Sequence, residues 1–319
     1  QYWGKRDIKN IRRVLGASLI IGLSGSILFM LAGLFTPKAV MEIFTPSEGT
    51  IVIGASYLVI VALSYPLTAI TNCYISLLRA TNKVKAPVFI SLVAILINGV
   101  LNYTFIFGNF GAPRLGVQGA AIATVIARLV ECLSILIVAY VSKGAAAAKI
   151  KELVSFNKEF FKKYFITVSP VIANEFMWGL GVTMYSLVYG RMGDQAVASI
   201  TITQNVEQIC IVLFQGLSSA TAVILGNELG ANKLKDAEKH AKSFFGIQLL
   251  LTIGMGTICI LIRKPLINLF SVDSTVASDI TKCLTVFVCY LPFRTFNLVN
   301  IVGVLRSGGD TKASLFLDM

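Results

Sequence analysis

Apolar residues follow one another along this chain in eight long runs that short polar segments separate. Each run has the length that an α-helix needs to cross about 30 Å of hydrocarbon, which is about 20 residues. The runs lack the period-2 alternation of apolar and polar residues that marks the strands of a membrane barrel. We therefore predict an all-α, polytopic membrane protein. The predicted spans are residues 14–35, 51–73, 86–108, 117–142, 164–190, 195–226, 243–262 and 283–305.

The composition favours a membrane protein over a soluble one. Hydrophobic residues make up 55% of the 319 residues, charged residues 14%, and the mean hydropathy is +0.77, whereas a soluble domain has about 25% charged residues. The six cysteines lie in or beside apolar runs without a CxxC motif, and the single histidine, His240, lies in a Lys-rich loop. We expect reduced cysteines that serve packing, a solvated histidine and no bound cofactor.

The net charge of +12 is unevenly distributed along the chain. Of the 28 lysines and arginines, 20 lie in alternate loops, which is the pattern of the positive-inside rule. We therefore expect a multi-pass protein of the plasma membrane with both ends of the chain in the cytoplasm. The basic residues orient the spans in the bilayer, so nucleic acid is not expected as a partner.

A basic amphipathic stretch divides the spans into two groups. Residues 149–163 ("KIKELVSFNKEFFKK") join the fourth and fifth runs. We predict a cytoplasmic linker helix lying along the membrane surface, with a lipid-regulatory site as the alternative. The linker separates an N-terminal lobe, 1–148, from a C-terminal lobe, 164–319.

The two lobes contain a repeat. Six spans separate its equivalent positions, so both copies enter the membrane in the same orientation, related by an axis along the membrane normal. Two parallel six-helix repeats predict a transporter of about twelve spans and roughly 450 residues. We expect this chain to lack the first two and the last two helices of that transporter, and therefore to be inactive alone. The matching positions are Gly4 with Gly230, Pro66 with Pro292, and Leu78-Arg79 with Leu305-Arg306. After each Leu-Arg we expect a charged turn, with a tight reversal at Thr81-Asn82 and at Gly308-Gly309 that basic residues hold on the cytoplasmic side.

Several segments resemble the MATE (multidrug and toxic compound extrusion) family of transporters. They include "LLRATNKVKAP", "INGVLNYTFIFGNFGAPRLGVQGAAIAT", "SPVIANEFMWGLG", "QGLSSATAVILGNELGANKLKDAEKHA" and "LRSGGDTKAS". The resemblance implies two six-helix lobes that face a central cleft and open it alternately. It also implies export of small organic, often cationic, compounds in exchange for Na⁺ or H⁺. We expect a monomer.

Ionisable residues inside the predicted spans are functional candidates, because each costs several kcal/mol unless it is paired or hydrated. Arg128 and Glu131 stand three residues apart and can form an ion pair within one helical turn. Glu175 follows Pro170 without a basic residue within a turn, so it must be protonated, bind a cation or pair with another helix. The corresponding helix of the resembled family carries a Glu involved in cation coupling, which makes Glu175 the candidate for binding Na⁺ or H⁺.

Further polar residues are candidates for lining a cavity. Glu207 stands beside a stripe of neutral residues at helical spacing, which suits either a pocket for cationic amphiphiles or a polar seam between helices. The helix 283–305 carries Arg294, whereas the resembled family has acidic residues there, so Arg294 is expected to neutralise Glu175 or Glu207. The other candidates are Thr201, Gln204, Gln208 and Gln215 of the stripe, and Asn98, Asn102 and Asn174.

Two competing functions remain. A flippase for lipid-linked oligosaccharides shares this helical plan and would favour a basic cleft, to which Arg128 and Arg294 could contribute. A membrane-embedded enzyme or a receptor is the alternative from another class. Enzymes of that kind show clustered His, paired Asp or a nucleophile in a special turn, and no HExxH or GxSxG motif occurs in the sequence. We therefore predict a secondary active transporter rather than an enzyme.

Overall fold

A computed structural model describes residues 1–44, 47–155, 157–192, 194–269 and 273–318. Within these ranges the secondary structure consists of helices and turns. The helices are α1 Ile8–Phe35, α2 Pro37–Glu42, α3 Glu48–Val61, α4 Ser64–Ala80, α5 Lys85–Phe107, α6 Val117–Val141, α7 Ile150–Leu153, α8 Lys158–Arg191, α9 Asp194–Gly230, α10 Leu234–Leu269, α11 Ser274–Leu298, a π-helix Val299–Leu305, α12 Arg306–Gly308 and α13 Thr311–Asp318.

Seven of the described helices are long and apolar enough to cross a membrane, and the count reaches eight if α3 and α4 form one span. These two helices are bent by 50° relative to each other. The predicted span 51–73 is therefore a broken helix. Pro66 is the third residue of α4, where its missing N–H would have had no partner within the helix. The multi-pass membrane class is confirmed, and the eighth predicted span depends on this bent pair.

The second matching proline, Pro292, lies inside α11. The last seven residues of the predicted span, Val299–Leu305, form the π-helix, and α12 continues the helix beyond the predicted end from Arg306. The Ser218 hydroxyl of α9 donates a hydrogen bond of 3.0 Å to the carbonyl of Leu298, at the start of the π-helix. Arg306 therefore belongs to a helix that packs on α9 and is not part of a loose loop.

The chain divides into two compact units. The N-terminal unit is Asp7–Phe161, and the C-terminal unit is Lys162–Met319 together with Gln1–Arg6. Each unit has its own apolar core. In the N-terminal unit, α1, α4 and α6 bury Leu15, Tyr74, Leu78, Ile135 and Ala139, among others. In the C-terminal unit, α9, α10 and α11 bury Cys210, Ile280, Leu284, Phe287 and Leu291, among others.

The predicted linker 149–163 is not one helix. It begins as α7, is interrupted after Leu153, and its last six residues are the start of α8. Glu152 accepts hydrogen bonds from the backbone N–H of Lys149 at 2.7 Å and from Arg12 of α1 at 2.6 Å. The backbone hydrogen bond and then Arg12 hold the pKa of Glu152 below its ordinary value. These contacts fix α7 against α1, so the first part of the linker is anchored to the N-terminal unit.

The repeated Leu-Arg segments form the same turn in both copies. Asn82 and Gly309 both adopt left-handed backbone conformations, with φ of +61° and +88°. In each copy the amide that follows donates to the carbonyl of the leucine, at 2.8 Å for Lys83 and 3.1 Å for Asp310. Glycine and asparagine tolerate this conformation better than other residues do. The tight reversal expected from the sequence is present at both places.

A second pair of matching turns makes a reciprocal contact within the C-terminal unit. Gly4 and Gly230 lie where a Cβ atom would meet backbone: a Cβ on Gly4 would meet the carbonyl oxygen of Asn227, and a Cβ on Gly230 would meet that of Gln1. Because Gln1 and Asn227 are themselves equivalent in the repeat, the contact has local two-fold character. The absence of side chains at both glycines allows this approach.

We expect Gly230→Ala to destabilise the protein by about 1–3 kcal/mol, the usual effect of overpacking against backbone that cannot easily move. Gly246→Ala in α10 is the matched control, since a Cβ there has open space, and alanine favours a helix by about 0.5–1 kcal/mol over glycine. Unfolding of both variants by SDS titration measures the difference. Equal stability of the two variants would show that the Gly4–Gly230 approach is not a constraint.

Candidate functional site

The C-terminal unit contains a polar cavity of about 590 Å³. It lies between α8, α9, α11 and the π-helix. Asn174, Glu175 and Trp178 of α8 line one side, and Gln215 of α9 and Arg294 of α11 line others, with Arg306 at the start of α12. The cavity therefore presents one aromatic ring, neutral amides and charges of both signs, which are the groups that hold a small amphiphilic molecule.

Glu175 meets its counter-charge inside this cavity. Arg306 Nη1 donates to Glu175 Oε1 at 2.8 Å. The side chain of Glu175 is 58% exposed, whereas that of Arg306 is 18% exposed. The arginine is thus held by the protein, while the carboxylate faces open space in the cavity. Arg306 was not predicted as a site residue, because the sequence placed it in a charged turn after the predicted span. The repeated Leu-Arg motif was the sequence feature that could have identified it.

Glu207 is paired with Arg294, one of the two partners that were expected for this arginine. Arg294 Nη1 donates to Glu207 Oε2 at 2.9 Å, and the hydroxyl of Tyr290 donates to Glu207 Oε1 at 3.2 Å. Arg294 also lies over the Tyr290 ring, 6.0 Å from its centroid. Glu207 is therefore held between α9 and α11, whereas Arg294 extends to the cavity wall.

The neutral candidates of this unit separate into two groups. Asn174 is 4% exposed and lines the cavity, and its Nδ2 is buried without a hydrogen-bond partner among the described residues. Gln215 also lines the cavity. The remaining members of the predicted stripe, Thr201, Gln204 and Gln208, are exposed and do not line it. The proposed role of these three in substrate contact stays a prediction.

The N-terminal unit has two adjoining cavities of about 320 Å³ and 210 Å³ that share Ile95 and Arg128 in their walls. The larger one lies between α4, α5 and α6. Arg79, the repeat equivalent of Arg306, lines it together with Ser76 and Asn72 of the same face of α4. Both copies of the repeated Leu-Arg motif therefore place their arginine in a cavity wall, each within its own unit.

The predicted ion pair of α6 is present at the base of this cavity. Arg128 Nη1 donates to Glu131 Oε2 at 2.6 Å, and the hydroxyl of Ser91 on α5 donates to Glu131 Oε1 at 2.8 Å. Glu131 is only 3% exposed. A carboxylate with two donors, one of them cationic, is tolerated inside a membrane protein. The hydrogen bond from Ser91 also connects α5 to α6.

Asn98 and Asn102 hydrogen-bond to each other within α5, and one of them reaches α6. Asn102 Nδ2 donates to Asn98 Oδ1 at 3.0 Å, and Asn98 Nδ2 reaches the hydroxyl of Thr124 on α6 at 3.5 Å. Asn98 also lines the smaller cavity, whereas Asn102 does not. Asn98 therefore links α5 to α6, whereas Asn102 is held within α5 and its Oδ1 is buried without a partner among the described residues.

A buried polar cluster that the sequence did not indicate joins α10 to α11. Gln248 Nε2 donates to the hydroxyls of Thr252 at 3.0 Å and Thr295 at 2.7 Å. All three residues are at most 3% exposed. Thr295 follows Pro292 by three residues, so this cluster fixes α11 close to its proline.

The fold is that of solved membrane transporters. A MOP superfamily transporter from Pyrococcus furiosus superposes with a TM-score of 0.87 at 18% identity, covering 99% of this chain and 70% of that chain. A second structure, described as MATE in the bent conformation, gives a TM-score of 0.85 at 18% identity, with 99% and 69% covered. At such identities the likeness establishes the fold alone, that of a polytopic helical membrane protein.

Sequence comparisons identify the family. The MatE family model matches residues 1–104 and 170–318, so the chain belongs to the MatE family. It is 22% identical to the uncharacterized transporter YisQ of Bacillus subtilis, over 100% of this chain and 70% of that protein. It is 26% identical to the probable multidrug resistance protein NorM of Thermotoga maritima, over 97% and 66%. The chain thus spans about two thirds of the length of these relatives. The predicted family is confirmed.

Proposed function

We propose that this chain belongs to a secondary active transporter that exports organic, cationic compounds across the plasma membrane in antiport with H⁺ or Na⁺, through alternating access of two lobes. The observation that carries the proposal is the Glu175–Arg306 pair in the wall of a 590 Å³ cavity. The naming of relatives as probable multidrug resistance proteins supports the same activity. A transport role, and not an enzymatic one, follows from this proposal.

Antiport requires that the substrate and the coupling ion exclude each other. Two carboxylates line the cavity, Glu175 and Asp318, and Glu175 is the one paired with an arginine. Its partner Arg306 is a cation that another cation can replace. A substrate ammonium, Na⁺ or H⁺ would each neutralise the same carboxylate, so only one of them occupies it at a time. If a lobe reorients when it holds either the substrate or the coupling ion, but not when it is empty, the export of one is coupled to the import of the other.

The cavity suits an amphiphilic cation. Trp178 offers an aromatic face for a cation or an aromatic ring, and Asn174 and Gln215 offer amides that donate or accept hydrogen bonds without fixing a charge.

The oligosaccharide flippase finds less support, because both arginines that would make a cleft basic are paired with carboxylates. Arg128 is paired with Glu131, and Arg294 is paired with Glu207.

Transport by the protein expressed from its complete gene and reconstituted into liposomes tests the proposal. We expect an imposed proton or sodium gradient to drive movement of an ethidium-type cation, with the two gradients applied separately. The active gradient identifies the coupling ion. If neither gradient moves the organic cation, although the protein is folded and inserted, the proposed antiport is wrong.

A further inference from the structure

The larger cavity of the N-terminal unit contains more positive than negative charge. Arg79 and Arg128 line it with one carboxylate, Glu131. Glu131 is already paired with Arg128, and no carboxylate lies within ion-pair distance of Arg79 among the residues that the structure describes. The Arg79 guanidinium therefore faces this cavity with its charge uncompensated by the protein, which is the electrostatic condition for binding an anion.

The donors around Arg79 suit a phosphate group. Arg79, Ser76 and Asn72 recur at intervals of three and four residues, so their side chains share one face of α4 and one cavity wall. Guanidinium, hydroxyl and amide N–H groups are the donors that phosphate oxygens accept. A volume of about 320 Å³ is large enough for a phosphate group with part of a headgroup.

The cavity is continuous with an apolar surface. Ile95 of α5 lines it and is 66% exposed. Exposed apolar side chains precede and follow Ile95 on the same helix, which is the surface that bilayer acyl chains cover in a membrane-spanning helix. A ligand in this cavity therefore meets cationic and polar donors at one end and hydrocarbon at the other. The exposed apolar residues of α5 near the cavity are Phe89, Leu92, Ile95 and Leu96.

The location of Arg79 also matches a lipid headgroup. Arg79 lies in the last turn of α4, and Lys83 in the following turn and Lys85 at the start of α5 come next along the chain. The basic-loop pattern predicts the cytoplasmic side for this end. Anionic phospholipids are concentrated in the cytoplasmic leaflet, and basic pockets between membrane helices on this side bind their headgroups. We propose that the cavity between α4, α5 and α6 binds the phosphate of an anionic phospholipid through Arg79.

Lipid retention measures this binding without reference to transport. The complete protein is transferred to nanodiscs of phosphatidylcholine containing phosphatidylglycerol, and bound lipid is counted by native mass spectrometry after release. We expect selective retention of phosphatidylglycerol. Arg79→Gln should weaken it about 5-fold, the effect of removing one basic contact near a membrane surface.

Lys83→Gln is the matched control, because it removes the same charge from the adjacent turn but from a residue outside the cavity wall. We expect it to keep the wild-type retention. Equal losses in both variants would assign the binding to general surface charge and overturn the proposal. Thermal unfolding of both variants checks that they fold.

A second set of samples separates the sources of phosphate. In nanodiscs of phosphatidylcholine alone, glycerol 1-phosphate is added and its effect on thermal unfolding is measured. We expect no shift with the free phosphate, because the acyl chains on α5 contribute to binding. Stabilisation by free glycerol 1-phosphate that is lost in Arg79→Gln would identify a soluble phosphate ligand and contradict the assignment to lipid. Equal retention of phosphatidylcholine and phosphatidylglycerol would also contradict the proposed binding of an anionic phospholipid.

Discussion

Glu175→Gln is expected to reduce drug resistance to the level of cells without the transporter, while the protein still folds and inserts. The amide has nearly the same shape as the carboxylate but carries no charge, so it neither takes up a proton nor attracts Na⁺ or a substrate cation. Resistance of an efflux-deficient strain to ethidium-like cations, with membrane levels of the protein measured in parallel, gives the result. Unchanged efflux would remove Glu175 from the mechanism.

Two further variants separate coupling from structural pairing. If Glu175 served only to neutralise Arg306, removing both charges in Glu175→Gln/Arg306→Gln would restore transport, because no unpaired charge remains. We expect the double variant to stay inactive, since the exchangeable carboxylate is still absent. Glu238→Gln is the control for loss of a paired acid, because Glu238 forms an exposed pair with Lys242 at 2.7 Å. It should transport normally.

Arg128→Met is expected to lower the free energy of unfolding by about 3–5 kcal/mol, the usual cost of leaving a buried charge without its partner. The variant keeps a long side chain but leaves Glu131, which is 3% exposed, with only the Ser91 hydroxyl as donor. Reversible unfolding in SDS, or the loss of folded protein on heating in detergent, measures the change.

The double variant Arg128→Met/Glu131→Gln tests the cause. Removing both charges leaves a neutral amide that still bonds to Ser91, so most of the lost stability should return. A double variant as unstable as the single one would mean that Arg128 stabilises by packing of its stem and not by neutralising Glu131. Lys282→Met is a suitable control for loss of an exposed i,i+3 partner, here Asp279, and should cost less than about 1 kcal/mol.

Features that depend on local spacing could be predicted from the sequence. The apolar runs indicated the helices, and the three-residue separation of Arg128 and Glu131 indicated their pair, because neighbours on one helical face meet whatever the rest of the chain does. The reversal after each Leu-Arg was also foreseen, since Asn82 and Gly309 are residue types that adopt left-handed backbone. The opposite charges of Glu207 and Arg294 allowed that pair as one of two alternatives.

Features that depend on helix continuation and helix contacts could not be predicted. Hydropathy ends the last span at residue 305, yet α12 continues the helix and brings Arg306 to Glu175, 131 residues away in sequence. The polar stripe of α9 gave no indication that Gln215 alone of its glutamines lines the cavity, because the neighbouring helix that decides this lies far along the chain. The amphipathic pattern of the linker 149–163 did not indicate its interruption after Leu153. The local signal was Asn157, whose Oδ1 accepts a hydrogen bond of 2.9 Å from the N–H of Phe160 where α8 begins.

The number of residues in the π-helical segment Val299–Leu305 determines which side of the helix Arg306 faces, and therefore which charges line the cavity. A π-helix accommodates about one more residue per turn than an α-helix does, and one residue corresponds to about 100° of rotation around a helix. A relative without that extra residue would retain the Leu-Arg dipeptide but direct its arginine to another side of the helix. Deleting one residue here is therefore expected to separate Arg306 from Glu175 while leaving every ionisable residue of the chain in place.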